Sequence, residues 1–129
     1  MKRFLSLALA ALLLTGCAAP AASGSYRQVS PQEAMDLMET EKDYIILDVR
    51  TPEEFAGAHI PGAINIPNET ISTQPPAQLP NQNALILVYC RSGNRSKQAA
   101  GKLAKMGYTA IVEFGGINQW PGETVSGGA

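Results

Sequence analysis

Two apolar runs constrain the fold of this chain more than any other feature. In Tyr44-Ile45-Ile46-Leu47-Asp48-Val49 and in Ala84 to Tyr89, apolar residues follow one another without alternation. As strands they present hydrophobic side chains on both faces and need cover above and below, which a parallel sheet between two layers of helix provides. Helical segments occur at the right places. Ser30-Pro31-Gln32-Glu33 combines a capping serine, a proline at the first helical position and a glutamate at the third, with Ala34, Leu37 and Met38 on one face. Thr51-Pro52-Glu53-Glu54 repeats that pattern. From Ser96 to Met106 the residues Ala99, Ala100, Leu103 and Met106 recur at helical spacing, Lys97, Lys102 and Lys105 lie on the exposed side, and Gly107 follows as a cap. Short strands are expected at 26–29, 64–66 and 109–114, and Pro67 to Pro80 reads as a polar, proline-punctuated connection. The class is α/β, with a small central parallel sheet flanked by helices on both faces.

At 129 residues there is room for one domain, and its amino-terminal end stands apart. Behind Lys2 and Arg3 comes an apolar run, Phe4 to Leu14, of 11 residues, whereas a helix needs about 20 to cross a bilayer. It reads as the core of a signal peptide over residues 1–16. The run ends in Leu14-Thr15-Gly16-Cys17, which resembles the lipobox of bacterial lipoproteins. That resemblance implies a diacylglycerol thioether on Cys17, cleavage of the preceding bond, and anchoring to the extracytoplasmic side of the membrane, facing the periplasm where the cell has two membranes. Residues 17–25 then form the lipidated cysteine and a flexible tether, and 26–127 the folded domain. Without Lys2 and Arg3 the chain carries 8 basic and 11 acidic residues, a net charge of −3, which argues against a nucleic-acid partner.

If Cys17 is a thioether, Cys90 is the free thiol of the mature chain. It follows the strongest strand run directly and precedes a helix, the position at which open α/β sheets bind ligands. The segment Cys90-Arg91-Ser92-Gly93-Asn94-Arg95-Ser96 has the composition of an anion cradle. Gly93 permits a tight turn, Asn94 tolerates left-handed geometry, and backbone N–H groups then converge on one centre at the start of a helix. A thiol placed there ionises more readily than a free cysteine, whose pKa is about 8.5, and the thiolate is the nucleophile.

Three stretches make the domain resemble the single-domain rhodanese (sulfurtransferase) family. They are Asp48-Val49-Arg50 with Glu54-Phe55 and His59-Ile60-Pro61-Gly62-Ala63-Ile64-Asn65-Ile66-Pro67; the loop from Cys90 to Ser96; and Gly115-Gly116-Ile117 with Trp120. The resemblance implies a catalytic Cys90 that takes sulfane sulfur from a small anionic donor such as thiosulfate, holds it as a persulfide, and passes it to a thiol or cyanide. It implies a rhodanese-like fold and no cofactor. A non-catalytic rhodanese-like module that binds a partner or senses sulfur species is the alternative. Cysteine-dependent phosphatases and arsenate reductases use a longer loop before their arginine, whereas Arg95 follows Cys90 after four residues.

The other polar residues have two readings each. Arg91 holds an anionic donor at the loop mouth, or is solvated. Arg95 faces the substrate, or pairs with Asp48 or Glu54. Asp48 and Arg50 brace the loop from the neighbouring strand end. His59, the single histidine, reads as part of the His-Ile-Pro-Gly turn rather than as a base, and Trp120 as a core or lid aromatic. One histidine and one free cysteine leave no basis for a metal site.

Overall fold

The computed structural model describes residues 25–128. The signal segment, Cys17 and all but the last residue of the tether lie outside the described residues. The chain runs β1 (Arg27–Gln28), α1 (Pro31–Thr40), β2 (Ile45–Asp48), α2 (Pro52–Gly57), β3 (Ile64–Asn65), β4 (Leu85–Cys90), α3 (Asn94–Met106) and β5 (Ala110–Gly116). The strands form one sheet in the order β1-β5-β4-β2-β3, and every neighbouring pair is parallel.

The unbroken apolar runs occupy its centre, as expected of strands covered on both faces. On one face Leu47, Ile86, Val88 and Cys90 pack with Ala99, Ala100 and Leu103 of α3. On the other, Ile46, Leu87 and Tyr89 pack with Ala34 of α1 and with Val112 and Phe114 of β5. The period of two along each strand thus divides one hydrophobic run between two cores.

Both expected helix starts carry a complete capping box. Ser30 Oγ accepts the Glu33 N–H at 3.1 Å and Thr51 Oγ1 accepts that of Glu54 at 3.2 Å, while each glutamate reaches back to the capping residue's own N–H. Gly107 closes α3 at φ 108°, in the left-handed region.

Two expectations need correction. Helix α3 begins at Asn94 rather than near Ser96, and the left-handed residue of the loop is Gly93, at φ 103°. Asn94 is helical, since glycine two residues before Arg95 already supplies the reversal. Strand β5 runs on to Gly116, drawn along by pairing with the end of β4, where the register shifts between Val88 and Cys90. The proline-punctuated connection after Pro67 is anchored at a few points: Ile71 and Leu79 are buried, the Tyr108 hydroxyl donates to the Leu79 carbonyl at 2.6 Å, and the Lys102 ammonium donates to both oxygens of Asn68.

Leu87 lies wholly buried in the central strand. Leu87→Ala should lower unfolding free energy by roughly 3 kcal/mol, the ordinary cost of a cavity at such a site, as measured by urea denaturation.

Candidate active site

Cys90 is the last residue of β4, and only 1% of its surface is exposed. The chain turns immediately above it. The left-handed Gly93 lets the loop fold back over the sulfur, and its N–H donates to Sγ at 3.0 Å. Ser96, in the first turn of α3, places its Oγ 3.4 Å from Sγ. Burial pushes the Cys90 thiol up; the Ser96 hydroxyl and the amides of Ser96, Gly93 and Ser92 outweigh that and hold it below its ordinary value. The sulfur therefore sits in a ring of donors suited to a negative atom.

Strand β5 supports the loop from the side. A Cβ on Gly116 would collide with the Arg91 carbonyl, so the close approach of β5 to the loop requires glycine there. Asn118 N–H donates to the same carbonyl at 3.3 Å.

The charged residues divide. Arg91, like Ser92 and Asn94, is exposed at the loop surface. Arg95 grips Glu54 of α2 with two hydrogen bonds, of 2.7 and 3.0 Å. Of its two readings, the ion pair is the arrangement found. Asp48 and Arg50 form a buried ion pair at 2.7 Å, and Arg50 also donates to the Ala58 carbonyl and lies 5.8 Å from the centre of the Tyr89 ring. These two residues brace the turn after α2 and the side chain preceding Cys90. Their hydrogen bonds do not run to the loop itself, which corrects the expected bracing. Tyr89 completes this arrangement: its hydroxyl accepts the Ile60 N–H at 3.1 Å, and burial first, then Asp48, pushes its pKa far up.

His59 stacks on Phe55 at 3.8 Å and its Nδ1 is 2.8 Å from the Phe55 carbonyl, so Nδ1 carries the proton and donates. Its backbone pairs with Val125. Trp120 packs on Phe114 and donates to the Glu123 carbonyl.

One site residue escaped the sequence reading. Glu113, in β5, is buried, and its Oε1 accepts the Ser96 hydroxyl at 2.7 Å and the Gly115 N–H at 2.8 Å. The available signal was an acid inside the otherwise apolar run 110–114, at a position whose period-two neighbour Ile111 faces α3.

A parallel five-stranded sheet with a cysteine loop between β4 and α3 defines the class of site, and comparison with known proteins defines the family. Residues 30–123 match the rhodanese-like domain, and the chain belongs to that family. Residues 1–18 match the prokaryotic membrane lipoprotein lipid attachment site. The chain is 39% identical over 71 residues to the thiosulfate sulfurtransferase PspE of Escherichia coli, covering 55% of this chain and 68% of PspE. It is 30% identical over 109 residues to the thiosulfate sulfurtransferase GlpE of Pseudomonas entomophila, covering 81% and 96%. A solved structure described as rhodanese with anions from E. coli superimposes with a TM-score of 0.60 at 36% identity, over 65% of this chain and 99% of that one. Several larger relatives extend well beyond the match, which spans 55%, 23% and 26% of three of them.

The Arg95–Glu54 pair makes part of the stability depend on acid. The hydrogen bond from Arg95, opposed by burial and aided by the Thr51 N–H, lowers the Glu54 pKa from 4.5 to about 2. A depressed carboxylate stabilises the fold fully above its unfolded value and loses that contribution as pH falls through the folded one. Both side chains are partly solvated, so Glu54→Gln should cost about 1 kcal/mol at neutral pH after screening. In urea titrations across pH, the gap between the two proteins should close between 4.5 and about 2.

Proposed function

We propose that this protein is a sulfurtransferase that carries sulfane sulfur as a persulfide on Cys90. The observation that carries this reading is the Cys90 sulfur held at 3.0 Å from the Gly93 N–H, beneath a loop of converging amides and beside a helix amino terminus. Such a cradle stabilises negative charge on sulfur without a histidine base. In the first half-reaction the Cys90 thiolate attacks the outer sulfur of a donor such as thiosulfate. A new S–S bond forms, the donor's S–S bond breaks, and sulfite leaves with the electron pair. In the second, a thiol or cyanide attacks the outer persulfide sulfur and the Cys90 thiolate is the leaving group. The exposed Arg91 at the loop surface is the residue we assign to holding an anionic donor, with Ser92, Gly93, Asn94 and Ser96 forming the cradle and Arg95 fixing it to α2.

We further infer that Cys17 is lipidated and holds the domain on the extracytoplasmic side of the membrane through the tether, facing the periplasm where there are two membranes. Ala18 in place of an aspartate after the lipid cysteine favours the outer membrane in such a cell. The 0.8 kcal/mol or so contributed by each buried methylene makes two or more acyl chains a stable anchor.

Cys90→Ser should abolish formation of thiocyanate from thiosulfate and cyanide while leaving circular dichroism native, because backbone geometry holds the loop and serine is nearly isosteric. Turnover surviving in that variant would remove the mechanism. Arg91→Ala should raise the KM for thiosulfate several-fold with little change in the response to cyanide. Cys17→Ala should move the protein from the membrane to the soluble fraction with activity per folded molecule unchanged; a fully processed wild-type protein soluble without detergent would contradict the anchor.

A further inference from the structure

Sulfur transfer as described above leaves one buried charge without a task. Glu113 is 2% exposed, and among the described residues the ion pairs are Arg50 with Asp48 and Arg95 with Glu54, so Glu113 is held by neutral donors. Oε1 takes the Ser96 hydroxyl and the Gly115 N–H; Oε2 has the Gln28 amide at 3.4 Å. A buried carboxylate with no cation beside it is costly, and its place one hydroxyl away from the reactive sulfur is specific.

The hydroxyl itself is over-subscribed. Ser96 Oγ lies 2.7 Å from Glu113 Oε1, 3.0 Å from the Gly93 carbonyl, 3.4 Å from the Gly115 carbonyl and 3.4 Å from Cys90 Sγ. It has one proton to give, and the short contact to a carboxylate is the strongest claim on it. With that proton on Glu113, Oγ turns a lone pair to the sulfur and accepts from Cys90 S–H. A thiolate needs the opposite: a hydroxyl that donates to sulfur. Ionising the thiol while Glu113 stays charged would also put two buried anions on either side of a single hydroxyl.

We propose that Glu113 is a positioning residue for the sulfur chemistry, which acts through Ser96 to take up the Cys90 proton when the thiolate forms and to return it when the thiol is restored. The Cys90 S–H bond breaks as its proton passes to Ser96 Oγ. The former Ser96 proton passes to Glu113 Oε1, and Ser96 now donates to the thiolate. One negative charge moves from carboxylate to sulfur, and the buried site carries a single negative charge throughout. The surrounding charges do not supply an alternative. Arg95 of α3, which interacts with the Cys90 charge, is already paired with Glu54 of α2; Arg91 of the loop is exposed to solvent; β1 offers the neutral Gln28, and α1 packs on the opposite face with Val112 and Phe114. This inference rests on the reading of Cys90 as the reacting thiol.

Two groups sharing one proton titrate as a pair. The rate of iodoacetamide alkylation at Cys90 of the full-length protein in detergent, resolved by peptide mass spectrometry and followed against pH, should therefore rise in two steps separated by a plateau. Glu113→Gln is isosteric. Its amide oxygen accepts from Ser96 and Gly115, and a flipped Gln28 amide receives its new N–H donors. In that variant the profile should collapse to one step lying between the two wild-type steps. A role confined to packing would leave the number of steps unchanged. A single-step wild-type profile overturns the proposal whether or not the variant folds, as does a two-step profile that persists in folded Glu113→Gln. Because no sulfur donor is present, these outcomes are independent of persulfide formation, whose absence would count against the sulfur-transfer reading and not against the shared proton.

Discussion

A sulfur atom withdrawn from water at the end of a central strand has to find its hydrogen-bond donors within the protein. At Cys90 they come from the chain's own next six residues. The left-handed Gly93 turns the loop back so that an N–H meets Sγ at 3.0 Å, and helix α3 starts at once so that Ser96 falls beside it. Everything else near the site serves that short reversal. Gly116 lets β5 come close enough to flank the loop, and Glu113 ties Ser96 and Gly115 together from below. The Arg95–Glu54 pair fixes the first turn of α3 to α2.

The parallel sheet is what makes so short a loop sufficient. Strand β4 lies between β2 and β5, covered by α3 on one face and by the core built on α1 on the other, so its end is packed on every side but the loop's. The buried Asp48–Arg50 pair performs a related task one strand away, where Arg50 reaches the Ala58 carbonyl and flanks Tyr89. Removing one member of such a pair leaves an uncompensated buried charge, which makes it a structural fixture and not a source of net stability.

Much of this was legible in the residues. Unbroken apolar runs announced the central strands, two Ser/Thr-Pro-x-Glu sequences marked the helix starts, and Cys90 stood at a strand-to-helix junction beside glycine. What the pattern left hidden were contacts between elements distant in sequence. Ser96 and Glu113 are separated by 17 positions, and no local periodicity says that they meet; for Arg95 the residues offer Glu54, 41 positions away, as a partner but do not decide between that pair and the substrate. Asp48 and Arg50 stand at the end of β2, as the residues suggest, but what they brace depends on where the chain goes after α2. Gly93 and Asn94 both tolerate a left-handed backbone, and composition alone does not say that Gly93 takes the reversal and Asn94 the first position of the helix. The connection after Pro67 is polar and proline-punctuated by composition, which does not show that a few buried anchors, Asn68, Ile71 and Leu79, hold it against the core.

Each half of the proposed transfer passes through sulfur carried on Cys90. Intact mass spectrometry of the mature protein after exposure to thiosulfate tests it most directly. The expected result is a gain of one sulfur atom per chain, located on the peptide that contains Cys90 and removed by cyanide or a small thiol. A mass unchanged by thiosulfate in a folded protein whose Cys90 remains a free thiol would contradict it.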